Sequence, residues 1–124
     1  MRVLVVEDEP ALALRLQKAL EAADFAVDLA YDGEEGLHLG DTEPYDAIVL
    51  DLGLPRVDGI TVLKRWRQAG RTMPVLILTA RGQWSEKMAG FDAGADDYVT
   101  KPFELDEIVY RLRALIRRAS GHAS

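Results

Sequence analysis

The sequence contains no cysteine. This absence excludes disulfide bonds, a thiol nucleophile and any metal site built on thiolates. Long apolar runs are also missing: no stretch approaches the roughly 20 residues that a membrane-spanning helix needs. The apolar start of the chain leads at once into Glu7, Asp8 and Glu9, which is unlike a signal peptide. We therefore expect a soluble chain in a reducing, cytoplasmic setting, with no membrane partner.

Positive charge is scarce in this chain. Lys and Arg number 15 against 21 Asp and Glu, which gives a formal net charge of −6. Binding to nucleic acid needs clustered positive charge that neutralises phosphates, so this chain is not expected to bind DNA or RNA by itself. What the chain does contain is 48% hydrophobic residues over 124 positions, enough for one domain with its own core.

Short apolar runs alternate with helical patterns five times along the chain. The predicted strands cover residues 3–6, 25–30, 47–51, 75–78 and 97–100. The predicted helices cover residues 10–23, 34–39 with an end near Gly40, 58–70, 84–93 with a break at Gly90, and 105–118 with Ile108 on the core side. Right-handed crossovers then give an α/β fold, a doubly wound (βα)5 parallel sheet in the flavodoxin-like order 2-1-3-4-5.

The domain organisation follows from the same pattern. Residues 1–118 are predicted to form one domain. The tail, residues 119–124, is rich in small and polar residues and is typical of the start of a linker. Because Arg117 and Arg118 precede this tail, we expect a boundary before an absent C-terminal domain.

Asp51 follows an apolar strand that is predicted to be buried on both faces, as in a parallel sheet. Open α/β sheets bind ligands at the carboxyl ends of their strands, and the predicted order puts Glu7 and Asp8 beside Asp51. Carboxylates this close repel unless a cation is present, so Mg²⁺ or Mn²⁺ is the expected partner. The carbonyl of Gly53 could add a ligand, whereas Glu9 better suits an acidic helix start.

Two further groups stand at the ends of the fourth and fifth strands. Thr79 ends the fourth strand, and Lys101 follows the fifth, directly before Pro102. Taken singly, they read as an ordinary strand-end threonine and a surface lysine. A hydroxyl and an ammonium that converge on a carboxylate and a metal ion instead make a phosphoryl site, with Asp51 as nucleophile. A cis peptide bond before Pro102 would aim the lysine at this site, although cis is the minority state.

Four segments, in this order, resemble the receiver domain of two-component response regulators over nearly the whole chain. They are residues 5–9 (VVEDE), 50–55 (LDLGLP), 79–80 (TA) and 101–103 (KPF). The stretch of residues 94–103 (GADDYVTKPF) is similar to the OmpR/PhoB subfamily of winged-helix transcription factors. The sequence is therefore interpreted as a receiver domain of this type.

The resemblance implies a role for each residue at the strand ends. Asp51 accepts a phosphoryl group from a sensor histidine kinase, Thr79 and Lys101 contact that group, and Tyr98 is the switch aromatic. The implied metal ligands are Asp51, Glu7, Asp8 and the backbone carbonyl of Gly53. The chain would then be no enzyme but a phosphoacceptor that assists its own phosphorylation and dephosphorylation. It would contact DNA only through an attached C-terminal winged-helix domain and so control transcription.

The OmpR/PhoB resemblance also implies a two-fold homodimer, formed on phosphorylation, through the fourth helix, fifth strand and fifth helix. Mixed charges can complement themselves across a two-fold axis, where every pair occurs twice. The expected pairs are Lys87 with Glu107, Asp92 with Arg113, and Asp97 with Arg111. The first two are expected to cross between subunits, and the third could do so as well. The predicted interface contains Lys87, Asp92, Asp96, Asp97, Glu107, Ile108, Arg111 and Arg113, with Ile108 and Ala89 or Ala93 as its apolar centre.

Three alternatives stay open at this point. One is a stand-alone receiver that signals by docking on a partner protein. A second is an aspartyl-phosphate phosphatase or ATPase, but the phosphatases would place an acid where Gly53 stands. A nucleotide or flavin module is the third, although the loops after strands one and three lack a glycine-rich phosphate cradle. The remaining candidates, expected to be packing or surface residues without a function, are Trp66, Trp84, His38 and His122.

Overall fold

The computed structural model describes residues 1–80 and 84–121, apart from the side chains of residues 84–86, and strands and helices alternate throughout these residues. The strands are β1 (Arg2–Val6), β2 (Ala26–Ala30), β3 (Ala47–Asp51), β4 (Val75–Thr79) and β5 (Asp97–Thr100). The helices are α1 (Pro10–Ala22), α2 (Gly33–Thr42), α3 (Gly59–Gln68), α4 (Trp84–Ala93) and α5 (Leu105–Ala119). All strand pairs are parallel and the order is β2-β1-β3-β4-β5, which confirms the predicted flavodoxin-like fold.

The sheet lies between two hydrophobic layers because successive side chains of a strand point to opposite faces. One layer packs the sheet against α1 and α5 and includes Val3, Val5, Leu16, Leu20, Ile108 and Leu112. The other packs it against α2, α3 and α4 and includes Leu4, Val6, Ile48, Leu63, Trp66 and Ala93. Burial of β1, β3 and β4 on both faces explains their nearly continuous apolar sequences.

Helix α2 runs past Gly40 to Thr42, so the predicted end near Gly40 is wrong. A Cβ atom at Gly40 would overlap the indole ring of Trp66. Trp66 is fully buried, and its Nε1 donates a hydrogen bond to the carbonyl of Leu37 at 3.1 Å. Gly40 therefore serves close helix packing rather than helix termination.

The predicted break of α4 at Gly90 is also wrong, because the helix continues to Ala93. A Cβ atom at Gly90 would overlap Cδ1 of Ile77, a residue of β4. The glycine thus allows α4 to lie close to the sheet. Glycine costs about 1 kcal/mol of helix propensity relative to alanine, but a side chain at this position would clash with Ile77.

Two helices that flank the strand ends begin at aspartate caps. The carboxylate of Asp32 accepts a hydrogen bond from the backbone N–H of Glu35 at 2.8 Å, and that of Asp58 accepts from Thr61 at 3.0 Å. Such caps satisfy backbone donors that have no partner within the helix. Among the described residues, no helix is both long and apolar enough to cross a membrane.

Candidate functional site

Three carboxylates meet where β1 and β3 end. Because Val6 pairs with Leu50 across the two strands, the residues that follow them are neighbours. Glu7, Asp8 and Asp51 each place one oxygen within 4.8 Å of the other two. Glu7 and Asp51 are only 1% and 5% exposed, whereas Asp8 is exposed. The structure thus brings together the three acids that the sequence singled out.

Lys101 reaches these acids from the end of β5. Its Nζ lies 3.2 Å from Oδ1 of Asp51 and 3.2 Å from Oε1 of Glu7. The peptide bond between Lys101 and Pro102 is cis, and the backbone N–H of Lys101 donates to the carbonyl of Thr79 at 2.8 Å. One ammonium therefore bridges two buried carboxylates. The contact with Glu7 was not foreseen from the sequence, in which the two residues are 94 positions apart.

The electrostatics of the site follow from this arrangement. Burial raises the pKa of Glu7 and of Asp51, because the charged form loses hydration. Lys101 partly offsets this rise, as do the backbone N–H of Glu9 for Glu7 and that of Gly53 for Asp51. Burial alone would lower the pKa of Lys101, but the two carboxylates raise it overall. The ammonium of Lys101 is therefore stabilised in its charged form by the two carboxylates.

The donor set at this edge fits a hard divalent cation. It consists of carboxylate oxygens, two of them buried and one exposed, which suits Mg²⁺ because this ion takes few carboxylates and keeps several waters. Competition between the cation and protons is expected, since Glu7 and Asp51 both have raised pKa values. Gly53 is exposed and turns its N–H toward Asp51, and a metal-ligand role for its carbonyl stays a prediction.

Thr79 lies on β4, the strand next to β3, and Tyr98 lies on β5, the edge strand beyond it. Thr79 ends β4, one residue beyond the partner of Asp51 in the sheet, and is 2% exposed. Tyr98 is partly buried on β5. Its ring makes an edge-to-face contact with Phe91 at 5.7 Å between centroids, and Nζ of Lys87 lies 4.4 Å from its centroid. Sequence reasoning missed this aromatic and cationic contact, although Lys87 and Phe91 stand one helical turn apart on α4.

Several of the predicted interface charges have partners within the chain in this structure. Asp97 pairs with Arg111 at 3.1 Å, and Arg111 also pairs with Glu107, one turn earlier, at 3.2 Å. Arg113 donates to the carbonyl of Ala23, beyond the end of α1, at 3.2 Å. These contacts leave the expected pairs between subunits as predictions.

Two members of the predicted interface, Asp96 and Ile108, make contacts within their own chain. Asp96 pairs with Arg67 at 3.1 Å and accepts the backbone N–H of Val75 at 2.8 Å, at the start of β4. Ile108 is 1% exposed and packs in the core layer under α5. A side chain buried in its own core is not available at a surface, so Ile108 as the apolar centre of a dimer is wrong. Exposed apolar side chains occur instead on α4, at Met88 and Phe91.

Two other residues that the sequence singled out, Trp66 and His38, are not among the residues that converge at the strand ends. Trp66 is buried on α3, where its indole ring contacts α2, and His38 is exposed on α2. The side chain of Trp84 and the whole of His122 lie outside the described residues.

Fold and site together define a class of protein, namely flavodoxin-like receiver domains with clustered acids and a lysine at the carboxyl edge of the sheet. The profile of the response regulator receiver domain matches residues 3–113. The chain belongs to this family, which confirms the interpretation of the sequence. Curated relatives are transcriptional response regulators, consistent with the OmpR/PhoB subfamily.

Two of these relatives illustrate the similarity. The transcriptional regulatory protein DltR of Streptococcus agalactiae is 48% identical over 120 residues, which covers 97% of this chain and 54% of DltR. The transcriptional regulatory protein TctD of Salmonella typhimurium is 49% identical, with 98% of this chain and 54% of TctD covered. The chain thus spans about half the length of the curated relatives it matches.

Solved structures match the whole domain. The receiver domain of the Francisella response regulator 1452 has a TM-score of 0.91 at 38% identity and covers 95% of this chain and 98% of its own. The receiver domain of the sensor histidine kinase PA1611 from Pseudomonas aeruginosa, with a magnesium ion in its active site cleft, has a TM-score of 0.85 at 31% identity, with 93% and 96% covered.

Proposed function

We propose that this receiver domain accepts a phosphoryl group on the carboxylate of Asp51 from the phosphohistidine of a sensor histidine kinase. The observation that carries the proposal is the ammonium of Lys101, which lies 3.2 Å from Asp51 beside a cluster of acids. A buried carboxylate next to one fixed positive charge is suited to nucleophilic attack on a phosphoryl group. The ammonium of Lys101 is placed to stabilise the negative charge on the phosphoryl oxygens during the transfer.

The proposed step exchanges one bond for another. An oxygen of Asp51 attacks phosphorus, so that an O–P bond forms while the P–N bond to the donor imidazole breaks. The electron pair of the broken bond stays with the imidazole nitrogen. Lys101 and the hydroxyl of Thr79 would hold oxygens of the phosphoryl group and orient it. Hydrolysis at the same aspartate would end the signal, so the chain acts as a phosphoacceptor and not as an enzyme with a separate substrate.

The metal belongs to the same proposal. Glu7, Asp8 and Asp51, with the carbonyl of Gly53, would hold Mg²⁺ or Mn²⁺. Bound there, the ion would supply positive charge between the carboxylates and the incoming phosphoryl group. The close approach of three carboxylate oxygens supports this assignment, as does the magnesium ion in the cleft of the Pseudomonas aeruginosa relative.

The partners and output are proposed from the relatives. A groove of about 260 Å³ beside Lys101, lined by Leu12, Arg15 and Phe103, offers the kinase a surface next to the phosphoacceptor. Phosphorylation would favour a homodimer and act through an attached winged-helix DNA-binding domain on transcription. The half-length match to transcriptional regulators supports this output. A cytoplasmic setting is part of the same proposal.

The test is chemical phosphorylation of the purified chain. With acetyl phosphate and Mg²⁺, mass spectrometry should show the gain of one phosphoryl group that hydroxylamine removes. Asp51→Asn should gain none, because an amide is not a nucleophile of this kind. Asp58→Asn is a matched control. It makes the same chemical change at the other end of the loop between β3 and α3, and asparagine is also a good cap for α3. Equal labelling of Asp51→Asn and Asp58→Asn would overturn the assignment.

A further inference from the structure

The first turn of α2 is packed against the loop that follows Asp51, which comprises residues 52–58 and is called here the β3–α3 loop. The backbone N–H of Gly33 donates to the carbonyl of Pro55 at 3.1 Å. A Cβ atom at Gly33 would overlap the carbonyl oxygen of Val57. The obstacle is backbone rather than a flexible side chain, so it cannot rotate out of the way.

The same helix also touches the other half of the acidic site. A Cβ atom at Gly36 would lie 2.7 Å from Cγ1 of Val6, the residue directly before Glu7. The backbone N–H of Glu7 donates to the carbonyl of Ala30, at the end of the strand that leads into α2, at 2.9 Å. Helix α2 therefore contacts both segments that supply the acids, one through Gly36 and the other through Gly33.

An ion pair joins α2 to the β3–α3 loop as well, but it is weak. Arg56 lies 3.4 Å from the carboxylate of Asp32, the cap of α2. The Arg56 side chain is 66% exposed, and exposed pairs of this kind contribute little. Close backbone packing at Gly33 is thus the main contact that fixes the loop against the helix.

We propose that Gly33 is a positioning residue for the divalent-cation site. Without a side chain at this position, the β3–α3 loop can lie where the N–H of Gly53 reaches Asp51. Any side chain at Gly33 pushes the carbonyl of Val57, and the displacement passes along the short loop to Gly53. The arrangement of Asp51 and Gly53 at the cation site is then disturbed, although no metal-ligating residue has been substituted. This inference rests on the proposed metal site and extends it to a residue outside the strand ends.

The variant that tests the inference is Gly33→Ala, with Mg²⁺ affinity measured by isothermal titration calorimetry. We expect a loss of about 10-fold or more, as is typical when a group that orients metal ligands is disturbed. Gly40→Ala is the matched control, because its Cβ would overlap Trp66 on the same helix but far from the loop. It should lower the unfolding temperature yet keep the affinity of the unaltered chain. Equal affinities in both variants would overturn the inference.

A second measurement uses the unaltered chain, in case Gly33→Ala does not fold. Coupling between two sites is reciprocal, so Mg²⁺ should slow hydrogen exchange at the amide of Gly33, which is bonded to the loop. The amide of Asp46, bonded to the carbonyl of Arg2 at the opposite edge of the sheet, serves as the reference and should not change. Unchanged exchange at Gly33 would contradict the inference.

The two measurements also separate this inference from the proposed function. If the unaltered chain binds no Mg²⁺, the inference about Gly33 and the proposed metal site both fail. If it binds Mg²⁺ and takes up phosphate while Gly33→Ala binds equally well, the role of Gly33 fails and the proposed function stands.

Discussion

At the scale of single residues, three consecutive acids have three different environments. Glu7 is buried and pairs with Lys101 at 3.2 Å. Asp8 is exposed but belongs to the acid cluster with Asp51. Glu9 is exposed and caps α1 without a side-chain hydrogen bond, while its backbone N–H donates to Glu7 at 3.1 Å. Because their environments differ, these neighbouring acids of identical charge are expected to have unequal roles. Asp8 and Glu9 allow a direct comparison.

Asp8→Asn should weaken Mg²⁺ binding by about 10-fold or more and slow phosphorylation by acetyl phosphate, because the site loses one of its anionic oxygens. Glu9→Gln makes the same change in charge one residue further along and should alter neither, since the cluster does not include its carboxylate. Both variants can be titrated by calorimetry under one set of conditions. Equal weakening by the two substitutions would show that overall charge, and not a ligand at Asp8, controls the affinity.

At the scale of elements, the sequence predicts the strands and their order because buried parallel strands have distinctive apolar runs. The predicted end of α2 near Gly40 and the predicted break of α4 at Gly90 failed for one physical reason. Whether a glycine ends a helix or admits a neighbouring side chain depends on that neighbour, here Trp66 or Ile77, which is distant in sequence.

The site was predictable to the extent that strand order alone brings its residues together. Asp51, Asp8 and Lys101 converge because they end neighbouring or nearby strands of one sheet. The Glu7–Lys101 pair and the contact of Gly33 with the β3–α3 loop depend on side-chain and loop packing, which periodicity does not report. Ile108 shows the same limit: one amphipathic pattern was assigned both a core and an interface role, and only the packing decides between them.

Coupling between β4 and β5 gives a prediction at this scale. In the proposed switch, Thr79 moves toward a phosphoryl group on Asp51, and Tyr98 leaves its contacts with Phe91 and Lys87. Phosphorylation can shift such an equilibrium only through contacts that differ between the two states. Thr79→Ala should therefore still accept phosphate from acetyl phosphate but lose most of the change in the Tyr98 ring resonances in NMR spectra.

Thr100→Ala is the control for this experiment, because Thr100 pairs with Thr79 in the sheet and loses the same atoms. It should phosphorylate with the Tyr98 response intact. A full Tyr98 response in Thr79→Ala would refute the coupling, and equal loss in both variants would indicate general loosening of the strand ends.

At the scale of the whole molecule, several charged residues on the face of α4, β5 and α5 already have partners within one chain. Arg111 holds Asp97 and Glu107, and Lys87 lies over the ring of Tyr98. The apolar surface that a dimer needs at its centre is present in Met88 and Phe91, which are 41% and 43% exposed. If Tyr98 turns inward on activation, Lys87 loses its aromatic partner and becomes available to Glu107 of a second copy. The proposed dimer would thus be coupled to the switch through a single lysine.

This argument predicts the outcome of a charge exchange. The chain activated with beryllofluoride should shift toward a dimer in analytical ultracentrifugation, and less so at high salt because exposed charges are screened. Lys87→Glu should weaken that dimer by about 10-fold or more, since a two-fold axis repeats the repulsion with Glu107. Adding Glu107→Lys should restore part of the loss, whereas Lys64→Glu, the same charge change on α3, should have little effect. An activated chain that stays monomeric at high concentration, or an exchange that restores nothing, would exclude this face as the interface.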